Sequence, residues 1–222
     1  MPIGCLSLSV AMVLMLLMPF VYADLMQAAL LKLQIGPDAA AVVVAGIFVG
    51  SLINIPVKRV ARDRMVPVHP LAVFGLGGWW PERARTRSET VVAVNVGGCL
   101  IPTGLATYEV VQLAGTDAVL GIVGAVLLNV AVCYAVARPV RGVGIQMPGL
   151  LPPLVAATSA LLLAPAHATP VAFVAGTIGP LVGADLLHIR QMDQMDAGML
   201  SIGGAGTFDG ILLSGIVALY LS

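Results

Sequence analysis

Long uncharged apolar runs, broken by short polar stretches, repeat along the whole chain. Measured against the ~20 residues a helix needs to cross bilayer hydrocarbon, they predict spans at 3–22, 39–56, 90–112, 118–137, 149–164, 170–189 and 198–221. The expected fold class is therefore all-α: a polytopic transmembrane helix bundle of seven spans, a single domain over 1–222, with one longer cytoplasmic loop at 57–89. The fifth run is the shortest, and Pro148, Pro152 and Pro153 crowd its start, so it reads as a crossing that is tilted or partly re-entrant. The first run ends in Val21-Tyr22-Ala23, which suits a cleaved signal. With no basic residue ahead of the apolar stretch, a retained span is the preferred reading.

Basic positions then orient the bundle, because cytoplasmic loops carry the Lys/Arg excess. Lys58, Arg59, Arg62, Arg64, Arg83, Arg85 and Arg87 fall between the second and third runs, Arg138 and Arg141 between the fourth and fifth, and Arg190 between the sixth and seventh. Only Lys32 lies in a loop on the other side, a bias of ten to one. The N-terminus and loop 57–89 are thus expected in the cytoplasm and the C-terminus outside. Within that loop, Pro67, Pro70, Gly75, Gly77 and Gly78 favour a short strand pair or a loop on the headgroups over a helix, and Trp79 and Trp80 suit a membrane interface. Its basic cluster reads first as an orientation signal and second as an anionic-lipid site.

Composition agrees: 59% of the 222 residues are hydrophobic, 10% are charged, and mean hydropathy is +1.01. The lipid bilayer is the expected partner. Eleven Lys+Arg balance eleven Asp+Glu, which gives nucleic-acid binding no electrostatic support. Cys5, Cys99 and Cys133 lie in apolar runs, where thiols act as small hydrophobes. His69 and His167 are solitary, no zinc spacing or phosphate loop occurs, and no metal or cofactor is expected.

Polar residues inside the spans carry the chemical information, since an ionisable group at mid-bilayer costs ~2.5–3.5 kcal/mol. Two carboxylates stand out. Asp185 lies in the sixth run, within Gly183-Ala184-Asp185-Leu186, and Asp209 in the seventh, within Gly203-Gly204-Ala205-Gly206-Thr207-Phe208-Asp209-Gly210. Runs joined by a short turn pack side by side, so the acids can approach; carboxyls ~3 Å apart share one proton and hold an acid and a base at once. That pair can activate water against a peptide carbonyl. Gly203, Gly204 and Gly206, with Thr207, weaken the helix and let a substrate backbone come close. Depth opposes the pairing. In uninterrupted helices Asp185 sits ~7 Å from the Arg190 end and Asp209 ~16 Å from Gly198, an offset of roughly 9 Å. Bland readings are an interfacial acid for Asp185 and an interhelical hydrogen bond for Asp209.

One acid on a span and a second behind a glycine-rich stretch resembles the intramembrane aspartyl proteases of the presenilin and prepilin peptidase type. That family places Asp directly after Gly-x-Gly, whereas here Thr207 and Phe208 intervene.

Asparagines form a second polar set. Asn54 in Asn54-Ile55-Pro56 and Asn95 in Asn95-Val96-Gly97-Gly98 lie where Pro and Gly interrupt helical bonding, and Asn129 lies in the fourth run. They read as interhelical glue or as the lining of a polar cavity. A cavity, with the faint echo between Val94-Asn95-Val96-Gly97-Gly98 and Leu200-Ser201-Ile202-Gly203-Gly204, raises the alternative of a cation-coupled or small-solute transporter using Asp209, Asn54 and Asn95. A non-catalytic assembly role is the third reading. Asn54-Ile55-Pro56, the 95–102 run, Gly183-Ala184-Asp185-Leu186 and the 201–210 run together resemble a multi-pass prokaryotic membrane family known as domain-of-unknown-function family 1614. The resemblance implies a bacterial or archaeal inner-membrane protein and brings no activity with it.

Overall fold

A computed structural model describes residues 3–67, 83–140, 144–189, 199–204 and 210–222. Among them are seven α-helices, one in each predicted run: α1 (Ile3–Lys32), α2 (Pro37–Gly50), α3 (Ile101–Gln112), α4 (Ala118–Val136), α5 (Leu151–Leu163), α6 (Ala168–Ile178) and α7 (Gly210–Leu221). By length and composition three segments can cross a membrane: Met15–Lys32, Ala118–Val136 and Pro165–Leu186. The last is α6 with a 3-10 turn before it and a π-helical segment (Gly179–Leu186) after it. The apolar helices α2, α5 and α7 are shorter. Leu120, Leu162 and Val42 are among the large side chains left exposed, which is compatible with a membrane protein and costly in water.

The all-α expectation needs correction, because a sheet stands beside the helices. β1 (Asn54–Pro67) pairs antiparallel with β2 (Arg83–Asn95), and β2 pairs parallel with β5 (Met199–Ile202), giving the order β1-β2-β5. A two-stranded hairpin, β3 (Arg138–Val140) with β4 (Gly144–Gln146), follows α4. A hairpin therefore replaces much of the long loop expected at 57–89, and it extends into both flanking runs. The second run stops being helical at Gly50, the third is strand until Asn95 and a π-helical turn (Val96–Leu100) before α3, and the seventh holds both β5 and α7. The physical reason is shared. Val92, Val94, Leu200 and Ile202 are as apolar as helix residues, so hydropathy reads through strand, turn and helix alike. Conversely α1 continues to Lys32, ten residues past its expected end. Trp79 and Trp80 lie outside the described residues.

The main core joins all seven helices through Met26, Ile47, Ala106, Ile122, Ala156, Phe173 and Leu212. Small residues let the helices approach closely: a Cβ on Gly176 would come within 2.8 Å of Ser214 O, and one on Gly215 within 2.5 Å of Thr177 Oγ1. Lys32 Nζ donates to Leu219 O (3.4 Å) and lies 4.9 Å from the Tyr220 ring, while Tyr220 Oη donates to Leu25 O (2.8 Å). These contacts fasten the end of α1 to the end of α7 and satisfy a last-turn carbonyl. A second core of Val92, Cys99, Leu181, Leu200, Ile202 and Ile211 lies where the sheet meets the helices.

Candidate active site

At that junction the end of α4, the β3–β4 hairpin, the π-helical segment and the first turn of α7 enclose a cleft of about 860 Å³. This is within the size range of small-molecule and peptide-binding pockets. Three local features build its walls.

First, Pro139 forces the residue before it out of helical space. Ala137 is already extended (ψ 132°), and the chain turns into the hairpin, with Gly144 at φ +122°. Arg138 stands opposite Gln146 in the ladder, and both line the cleft.

Second, Pro180 has no N–H to donate to the carbonyl of Gly176, so the helix closes again on a wider ring. Leu187 N–H accordingly donates to Val182 O at 3.0 Å. His188 Nδ1–H donates to Gly183 O (3.1 Å) and Ala184 O (2.9 Å), and its ring lies 4.9 Å from that of Tyr134. Gly183 packs against the α4 backbone; a Cβ there would come within 2.5 Å of Val130 O. Held on both sides, Asp185 is half-buried and lines the cleft.

Third, α7 starts at Gly210, which lines the same cleft, and Ile211 is anchored in the second core. Asp209, Gly206 and Thr207 lie outside the described residues. The ~9 Å depth offset assumed a helix from Gly198; Met199–Ile202 is strand, so that premise does not hold.

Asn54 and Asn95 lie in a separate node at the foot of the sheet. Asn95 Nδ2 donates to Ser51 O (2.8 Å) and Asn54 Oδ1 (3.2 Å), and Asn95 Oδ1 accepts from Gly98 N (2.7 Å), capping the π-helical turn. Ser201 Oγ donates to Asn54 Oδ1 (2.5 Å), which draws β5 into the network. Beside it Gly203, at φ +68°, lies against Gly98 and Cys99, and Gly204 N–H donates to Ser201 O (3.0 Å). The node joins α2, β2 and β5, and neither Asn lines the cleft. Asn129 sits within the bundle, where its Nδ2 donates to Ala175 O (2.8 Å).

Sequence reasoning missed Arg138 and Gln146 as cleft residues. The available signal was Pro139 and Gly144 placed to make a short hairpin, which the Lys/Arg count absorbed as topology. It also missed Ser201 as the partner of Asn54.

A family described as "Protein of unknown function (DUF1614)" matches residues 48–221. The chain belongs to the DUF1614 family. The DUF1614 match begins near the end of α2 and runs through α7, so it takes in every wall of the cleft and the whole Asn node. No curated protein and no solved structure matches this DUF1614 chain.

Proposed function

We propose that this protein is an intramembrane aspartyl peptidase of a prokaryotic cytoplasmic membrane, with Asp185 and Asp209 as its acid pair, loop 57–89 in the cytoplasm and the C-terminus outside. One observation carries the reading: Asp185 and Gly210, the residue bonded to Asp209, line the same cleft. Consecutive Cα atoms are only ~3.8 Å apart, so the proposed pair requires no more than that Asp209 face the cleft its neighbour lines.

In the mechanism, one carboxylate takes a proton from water as its oxygen bonds to the peptide carbonyl carbon. The partner, protonated, donates to the carbonyl oxygen. The tetrahedral intermediate collapses with cleavage of C–N: the leaving nitrogen takes up the proton held by the first acid, and one hydroxyl of the intermediate returns its proton to the partner. Gly203 and Gly204, packed against Gly98, Cys99 and Ser201, serve the node rather than the substrate. The transport alternative drew on Asn54 and Asn95, whose amides are engaged with each other, Ser51, Gly98 and Ser201.

The test is a comparison of new protein termini in membranes of cells expressing the wild-type chain, Asp185→Asn or Asp209→Asn. Termini inside or beside apolar spans should appear with the wild type and be absent with both variants at equal expression. Identical profiles in all three would refute the peptidase reading.

A further inference from the structure

Arg138 and Gln146 occupy the same ladder position on neighbouring strands, which puts their side chains on one face of the β3–β4 hairpin. Both line the cleft that Asp185 enters. Much of the remaining wall is apolar, with Ile145, Ile211, Pro180 and Ala184 among it. A guanidinium offers five N–H donors in a planar fork and a carboxamide adds two more. Together they make an acceptor-binding corner matched to a carboxylate. Arg138 is itself exposed, so it can meet an incoming ligand without first being uncovered.

Resting on the peptidase reading, we infer that the Arg138–Gln146 corner is a specificity subsite that selects peptide substrates carrying an acidic side chain beside the scissile bond. Ile145, Ile211 and Pro180 would cover the apolar residues of the same segment. The reach follows from the size of the cleft. A volume of about 860 Å³ corresponds to a breadth of roughly 10 Å, or about three residues of extended chain. The acid therefore falls within about three residues of the cut. An anionic lipid headgroup offers similar chemistry, but Asp185 in the same cleft favours a ligand that presents a bond to be hydrolysed.

The experiment uses the full-length chain in cells and maps membrane-proximal termini for the wild type, Arg138→Lys, Arg138→Glu and Asp185→Asn. Asp185-dependent cuts by the wild type should be enriched in Asp or Glu within about three residues of the cleaved bond. Arg138→Glu should lower cutting of those sites by about tenfold or more and enrich Lys or Arg at the same places, while Arg138→Lys keeps the acidic preference. Asp185-dependent cuts with no acidic enrichment, or with one that Arg138→Glu leaves unchanged, overturn the subsite and leave the peptidase standing. The same holds if the Arg138→Glu effect disappears when anionic lipids are depleted, which assigns the corner to a headgroup. An absence of Asp185-dependent cuts overturns the peptidase reading and the subsite with it.

Discussion

Replacing Asn95 by Ala tests the node that joins the sheet to the helices. Asn95 is fully buried and loses three bonds at once: to Ser51 O, Asn54 Oδ1 and Gly98 N. Gly98 N–H is buried and has the Asn95 carboxamide as its cap, so leaving it unsatisfied costs ~1–3 kcal/mol. The Ser51 and Asn54 acceptors are partly buried and are better counted at the ~0.6 kcal/mol average for hydrogen bonds in membrane proteins. Together the loss is ~2–4 kcal/mol. Cys99, four residues further on and 5% exposed, reports the opening. In a background carrying Cys5→Ser and Cys133→Ala, Cys99 is the only thiol left of three. Its maleimide labelling in mild detergent, run where reclosing is faster than labelling, tracks the population of the open form. At ~1.4 kcal/mol per tenfold, Asn95→Ala should label roughly 30- to 700-fold faster than the parent. An increase below about threefold would mean that these bonds contribute less than ~0.7 kcal/mol and that apolar packing alone holds the junction.

Two further substitutions probe close packing and a buried amide. Gly97→Ala puts a methyl onto Ile47 O and within 2.5 Å of Ser51 N, backbone that cannot rotate away, so a loss at or above the usual ~1–3 kcal/mol for overpacking is expected in thermal unfolding. An unchanged midpoint would show that α2 and the π-helical turn can separate freely. Asn129→Leu removes the 2.8 Å bond to Ala175 O and crowds Gly179, which lies against the Asn129 amide. It should cost ~1–2 kcal/mol by the same assay, and a more stable variant would show that the amide is not structural.

The helical content was legible because an apolar run of bilayer length has few alternatives, and each predicted run does contain a helix. The sheet was legible only in part: a strand pair was among the expectations for loop 57–89, but its reach into the apolar runs and its third strand were not. A period of two needs polar residues on alternate positions, yet β2 presents Val91 to Val94 without a polar break, and β5, although it alternates, is only four residues long. Pairing β2 with β5 also joins residues more than a hundred positions apart, which no local pattern reports. The acids were found from their cost in lipid. The depth offset between them rested on helical rise from Gly198, whereas Met199–Ile202 is strand and Gly203 turns at φ +68°. Asn54 and Asn95 were picked out for the right physical reason, interrupted backbone bonding, and their Ser201 partner was hidden by the same long separation.

The parallel ladder between β2 and β5 sets an order of assembly. Val91–Val94 leave the ribosome early but find their partners only once Met199–Ile202 have been made, after six of the seven helices. Until then the wall contributed by the start of α7 is missing. A growing chain therefore holds one edge of β2 unpaired until β5 emerges, and the second core closes only after the helices it packs against have been made.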